Sequence, residues 1–521
     1  MVASAMMNRA KIGSLSDLNR LKKVSSLSRS LRRESAKFLP NMKKAELIFI
    51  PAPGIGHLAP SVEVGKLIVS RDDRLSITFL IIQPWSSDSK VATYIESLAS
   101  STLSHRLQFI KVPRPEPKPS EKPSHLGQLI DLQIPQVKEQ VTKLFQTQNR
   151  PQLAGFVIDM LCTSMIDVAN EFYLPTYLYF TSSASYLGLE FHLQTLHDEQ
   201  NVDITEFDGS DAELQLPVML NPVPANVLPT SFLSKDWLPT SLSYARSCRE
   251  AKGIIINTFM ELEPLAVNSL LTPPVYPVGP ILSLKTDVTE STGEADKNSD
   301  IMKWLDDQPP SSVVFLCFGS FGCFGPDQVK EIASALELSG HRFIWSLRQA
   351  PSKDAASSRP TEYTNVAEAL PEGFLDRTAG IGKIIGWAPQ VAILSHPAIG
   401  GFVSHCGWNS ILESIWFGVP IAAWPMYAEQ QFSAFEIVVE LGLAVEIKMD
   451  YRRSVFDKPE GIVSLKEIER GITSLMEPDS EIRRKMKKMS ESSRLALMEG
   501  GSSHSTLDNL ISLLVSGGNL S

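Results

Sequence analysis

From Ala45 onward the chain alternates two textures. Short runs are apolar at almost every position: AELIFI (45–50), RLSITFLIIQ (74–83), RLQFIKVP (106–113), LAGFVIDM (153–160), LPTYLYFT (174–181) and GIIINTF (253–259). Between them lie longer polar stretches and segments such as SVEVGKLIVS (61–70), whose helical spacing turns Val62, Leu67 and Ile68 inward. A strand that is apolar on both faces cannot lie half in water. These runs therefore predict a parallel sheet covered by helices on both sides. A second series begins at SSVVFLCFGS (311–320) and continues through HRFIWSLR, GKIIGWAP, GGFVSH, VPIAAWP and GLAVEIK. Helices are expected at about 327–339, 409–417, 429–440, 465–476 and 480–498.

The two series give an α/β protein of two doubly wound, Rossmann-like domains facing a cleft. The segment 283–300, SLKTDVTESTGEADKNSD, is polar and aperiodic and reads as the linker between residues 42–282 and 301–497. PRPEPKPSEKPS (113–124) reads as an extended loop. Residues 498–521 are expected to form a C-terminal helix that packs back on the first domain. Residues 1–41 carry nine Lys and Arg against two acids and no long apolar stretch. They are read as a disordered or non-native extension, with Met42 as the working start. Their composition also resembles a transit peptide, but they lack the apolar segment of a secretory signal.

Composition narrows the class. A chain of 521 residues is too long for one ordinary core, and 43% apolar with 21% charged residues fits a folded soluble protein. The net charge of −9 argues against a nucleic-acid partner. Five scattered cysteines without a CxxC pair predict neither a disulfide framework nor a zinc site, and fit a reducing, cytoplasmic setting. No apolar run approaches about 18 residues, so no membrane insertion is expected. A monomer is expected.

The polar residues worth chemistry cluster at the carboxyl ends of the second series of strands: CFGS, GWAPQ, VSHCGWNS and WPMYAEQQ. Open α/β sheets bind their ligands at that edge. In SHCGWNS, Gly407 allows the turn and Asn409–Ser410 open a helix, whose N–H groups and dipole favour an anion. His405 and Ser410 add donors. Glu413, one turn on, suits neutral hydroxyls, and the face of Trp387 suits an aromatic base. A phosphate pair, a hydroxylated ring and a base together describe a nucleotide-sugar.

The stretch WAPQVAILSHPAIGGFVSHCGWNSILESIWFGVPIAAWPMYAEQ, Trp387 to Gln430, resembles the signature box of plant family 1 UDP-glycosyltransferases, and the similarity extends from Met42 to the C-terminus. The resemblance implies a GT-B fold, inversion at the sugar and no metal. It also implies UDP-glucose as co-substrate rather than a resident cofactor. It places Trp387 on the uracil, with Ala388 and Gln390 nearby, and Glu413 on the ribose. His405, Asn409 and Ser410 fall on the diphosphate, and Trp408, Glu429 and Gln430 on the sugar hydroxyls. Glu429 stands where the family more often has Asp, and the final Gln430 matches the glucose-type ending. Cys323 stands where Ser or Thr is common, which leaves the backbone and Ser320 on the phosphate side. The early strands resemble the branch acting on flavonoids, dihydrochalcones and other phenolics. That implies a small, apolar, hydroxylated acceptor, with its pocket around residues 180–193.

A base is needed to remove the acceptor proton. In PAPGIGH, His57 follows a strand and two glycines at the mouth of the first sheet, and an imidazole titrates in the right range. Asp159, at the end of GFVID, is at the same edge and would orient it. The resemblance gives the two residues the same roles. GIGHLA also fits the dinucleotide fingerprint G-x-G-x-x-A, but the strand that should end in an acid ends in Gln83–Pro84. A non-catalytic ligand carrier would have no need of both His57 and Asp159.

Overall fold

The computed structural model describes residues 44–83, 89–98, 105–114, 126–283, 292–351, 359–452 and 461–516. The extension 1–41, most of the Pro-rich loop and residues 284–291 of the expected linker lie outside them. Each apolar run becomes a strand. β1 (Ala45–Ile50), β2 (Leu75–Ile81), β3 (Leu107–Lys111), β4 (Gln152–Asp159) and β5 (Thr176–Phe180) join β8 (Gly253–Ile256) and β9 (Val275–Pro277) in one sheet. A short ribbon, β6 (Glu213–Leu214) with β7 (Val223–Pro224), stands apart. β10 (Val313–Cys317), β11 (Arg342–Ser346), β12 (Gly382–Ile385), β13 (Ile399–Ser404), β14 (Ile421–Ala423) and β15 (Ala444–Glu446) make the second sheet.

Every pairing within the two large sheets is parallel. The strand orders are β3-β2-β1-β4-β5-β8-β9 and β12-β11-β10-β13-β14-β15. The cores show why. In β1, Ile48 and Ile50 join one apolar cluster while Leu47 and Phe49 join the one on the opposite face. In β10, Val313 and Phe315 face one way and Val314 and Leu316 the other. Both orders reverse direction once, between β1 and β4 and between β10 and β13. A crevice opens at such a reversal, at the carboxyl ends of the strands.

Three elements differ from the sequence reading. The helix expected at 61–70 begins at Ile55 and runs to Arg71, so His57 sits in its first turn rather than in a loop. Helix Thr292–Asp306 starts inside the stretch read as linker. Ile301 and Leu305, just past the stretch expected to be linker, supply the apolar anchors by joining the second sheet's core. The helix expected over 429–440 is α-helical at Gln430–Phe435 and π-helical at Glu436–Glu440.

Helix Ser502–Val515 places Leu507, Leu510, Ile511 and Leu514 in the core of the first sheet. Ser503 Oγ also donates to Gly279 O at 2.6 Å. Both sheets belong to one compact unit starting at Ala45. Contacts cross between them: Trp408 Nε1 donates to Asn257 O at 2.7 Å, and the Tyr186 and Phe432 rings lie 6.1 Å apart. No helix among the described residues is long and apolar enough to cross a membrane.

Candidate active site

β1 delivers the chain through Gly54, whose φ of 120° favours a residue without a side chain, into the helix whose first turn carries His57. β4 lies beside β1 and ends at Asp159, so the crossover topology brings together residues 102 positions apart. His57 Nδ1 and Asp159 Oδ2 are 2.9 Å apart. The other carboxylate oxygen, Oδ1, accepts from the Leu161 N–H at 3.0 Å. Asp159 has no exposed side-chain surface, whereas 29% of the His57 side chain remains open. Burial works against an imidazolium here. The charge of Asp159, the hydrogen bond to it and the charge of Glu429 outweigh that, and the His57 pKa is raised. With Nδ1–H facing Asp159, Nε2 is the nitrogen left to accept a proton.

The facing edge comes from the second sheet. Helix Trp408–Phe417 begins at Gly407, and its first-turn amides have no intrahelical acceptor. Asn409 Nδ2 lies 3.4 Å from Gly56 O, directly before His57. Gln390 Nε2 donates to Ser410 Oγ at 2.9 Å and to Glu413 Oε2 at 2.7 Å. Burial pushes the Glu413 carboxyl up to about 7, with the Gln390 hydrogen bond opposing it. Trp387 is 42% exposed, while the adjoining Ala388 is buried. Burial and the nearby Arg348 charge push the His405 imidazole down to about 4, against the Cys317 backbone. It is therefore neutral at physiological pH, and its Nδ1 is buried without a partner. Burial also raises Glu429, which the His57 charge partly offsets.

Two of the expected sugar-binding side chains are already engaged. The Trp408 indole is 2% exposed and its N–H is taken by Asn257. Gln430 Oε1 accepts from the Met426 and Tyr427 amides at 3.0 and 3.1 Å, and its side chain also hydrogen-bonds the Tyr427 hydroxyl. Ser320 is exposed, whereas Cys323 is 4% exposed. Among the described residues, no group of three or more His, Cys, Asp or Glu side chains comes together that could hold a metal ion. A cavity of about 310 Å³ adjoins Trp387 and is lined also by Ile301, Glu362 and Lys383, away from His57.

The acceptor pocket is expected around helix Ala184–Gln200, whose first half is buried on nearly all faces. Its start is fixed by Ser183, which accepts from the Tyr186 N–H, and by Glu263, which accepts from the Ala184 and Ser185 amides at 3.1 and 2.8 Å. Its buried Glu190 is pushed up to about 8, by burial first and then by the Glu429 charge, against a hydrogen bond from Tyr186. Neither Glu190 nor Arg348 was singled out by the sequence reading. Glu190 is a charged letter inside a largely apolar helix and Arg348 follows an apolar strand, signals that a search for polar clusters passes over.

The chain is similar to known proteins in sequence and in fold. Residues 276–453 match the family described as UDP-glucoronosyl and UDP-glucosyl transferase. Anthocyanidin 3-O-glucosyltransferase 1 of Manihot esculenta is 56% identical over 460 residues, 88% of this chain and 99% of that protein. UDP-glucose flavonoid 3-O-glucosyltransferase 6 of Fragaria ananassa is 55% identical over 482 residues, 90% and 99% of the two chains. The crystal structure of Medicago truncatula UGT71G1 complexed with UDP-glucose superposes with a TM-score of 0.79 at 42% identity, covering 91% of this chain and 98% of that one. The shared architecture is GT-B.

Proposed function

Because the chain belongs to the plant family 1 UDP-glycosyltransferases, we propose that it is an inverting glucosyltransferase moving glucose from UDP-glucose to a hydroxyl of a small phenolic such as a flavonoid. The 2.9 Å pairing of His57 with a fully buried Asp159, at the mouth of the cleft, carries this reading. His57 Nε2 takes the proton of the acceptor hydroxyl. The freed oxygen attacks the anomeric carbon from the side opposite UDP, and the bond to the diphosphate oxygen breaks with its electron pair. Asp159 and Glu429 stabilise the imidazolium that forms. The helix opening at Trp408 and Asn409 meets the charge that grows on the leaving UDP. Glu413 holds the ribose, Trp387 the uracil, and Glu429 with Gln430 the sugar hydroxyls.

The names of the cassava and strawberry relatives support a flavonoid-type acceptor. The test is a panel of UDP-sugars with flavonols, anthocyanidins and simple phenols, with product mass and anomeric configuration read by mass spectrometry and NMR. UDP-glucose should yield a β-glucoside, and an α-glucoside would reject the mechanism. His57→Ala should lower turnover about 10²–10⁴-fold while UDP still binds.

A further inference from the structure

Arg348 lies two residues beyond β11 and is 5% exposed. A buried guanidinium usually answers a carboxylate. Among the described residues no carboxylate forms an ion pair with it. Instead it donates to three carbonyls of the loop after β10: Ser320 O at 3.0 Å, Gly322 O at 3.2 Å, and Gly319 O. Its flat face lies 5.3 Å from the centre of the Trp387 ring. One side chain therefore ties together the two parts of the proposed donor site that touch opposite ends of a nucleoside diphosphate.

The consequence follows from peptide geometry. In a trans peptide the C=O and the next N–H point opposite ways. Turning the carbonyls of Gly319, Ser320 and Gly322 toward Arg348 turns the N–H groups of Ser320, Phe321 and Cys323 away from it. The Phe321 N–H so directed meets the Tyr427 hydroxyl, and the Ser320 N–H so directed favours an anion. The loop is also seated on His405. Gly319 has φ 71°, and a Cβ there would stand 2.4 Å from His405 Nε2. Carbonyl oxygens disperse the guanidinium charge without cancelling it, so the pocket keeps a positive charge that an anionic ligand would answer.

We infer that Arg348 is a positioning residue for the nucleoside diphosphate, setting the height of the 319–322 loop against the plane of Trp387 and lending its charge to the diphosphate without touching it. This rests on the reading of the cleft as a UDP-sugar site.

The test uses the full chain with Arg348→Met and Arg348→Lys. Affinities for UDP and for uridine are measured by calorimetry, and initial rates are taken against UDP-glucose at saturating acceptor. Arg348→Met should weaken UDP by about 10- to 100-fold, the scale of a charge-assisted contact, and uridine much less. KM for UDP-glucose should rise more than kcat falls. Arg348→Lys keeps the charge but cannot span three carbonyls, and should fall between the two. A merely structural arginine would lower thermal stability and active fraction while UDP and uridine weaken alike, and that result would overturn the inference. If Arg348→Met does not fold, an unchanged ratio of UDP to uridine affinity in Arg348→Lys overturns it equally. A parent protein that fails to bind UDP would overturn the functional reading as well.

Discussion

Replacing Asp159 by Asn should be more harmful than replacing it by Ala, although Asn is the closer mimic. The reason is the Leu161 N–H, which donates to Asp159 Oδ1 at 3.0 Å. An Asn here would keep its carbonyl oxygen on that donor, because the amide nitrogen would repel it. Its NH2 would then face His57 Nδ1, 2.9 Å away in the parent. Nδ1 would have to accept, the ring proton would move to Nε2, and the base would hold the wrong tautomer. The loss should approach the whole contribution of general-base catalysis, about 10²–10⁴-fold. Asp159→Ala removes only the charge-assisted hydrogen bond, worth about 1.5–3 kcal/mol, and leaves either tautomer accessible. At about 1.4 kcal/mol per decade that is about 10- to 150-fold. Initial rates at saturating UDP-glucose, with UDP affinity measured on the same samples, decide the order. An Asn variant as active as the Ala variant, with UDP binding intact in both, would refute the tautomer argument.

Three further outcomes follow from the same geometry. The Glu429 charge helps to raise the His57 pKa, and a base works only when unprotonated; activity should rise as pH passes upward through that pKa, and Glu429→Gln should move this acid limb to lower pH in a kcat/KM profile. Glu413 is pushed up to about 7, and in its proposed role on the ribose it accepts charge-assisted hydrogen bonds only once ionised. UDP-glucose, whose diphosphate does not titrate there, should therefore bind more tightly from pH 6 to 8, and calorimetry should show this limb vanish in Glu413→Gln. Gly319→Ala would place a Cβ against the His405 ring at a left-handed φ; it should raise KM for UDP-glucose at least about tenfold, on the scale of a strained backbone position, with little change in acceptor KM.

The strands were legible because a parallel sheet buried on both faces leaves a continuous apolar signature. The pairing of His57 with Asp159 was legible because each ends or follows such a run, and topology does the rest. Helix Ala184–Gln200 was harder to read. It is buried nearly all round and shows no polar stripe to mark its period. The start of helix Ile55–Arg71 was hidden by Pro60, which sits inside it and reads in sequence as a boundary. Trp408 and Gln430 were identified as polar letters in the right motif. Sequence cannot say that the indole N–H is taken by Asn257 or that the Gln430 carbonyl holds its own turn. Both partners are set by tertiary contact.

The acidic groups around the base raise a question that their pKa shifts answer. Asp159, Glu429 and Glu190 stand near one imidazole or near one another, and a phenol losing its proton adds a further negative charge. Three ionised carboxylates would oppose that step. Burial and the Glu429 charge push Glu190 up to about 8, so at neutral pH it is mostly protonated and adds no charge. Asp159 and Glu429 are the carboxylates whose charges raise His57. Under the proposed chemistry the imidazolium forms between those two anions. The new phenolate meets a neutral Glu190 on the acceptor side, and the charge leaves with UDP toward a helix N-terminus and the buried cation of Arg348. On this reading the helix Ala184–Gln200 has to keep its carboxyl neutral, and the burial of Glu190 beside the Tyr186 phenol does so. Glu190→Gln, neutral at every pH, should keep activity near neutrality and lose the decline above pH 8 that ionisation of Glu190 imposes on the parent. A pH-rate profile in which parent and variant coincide up to pH 9.5 would show that this carboxyl has no part in the charge balance of the step.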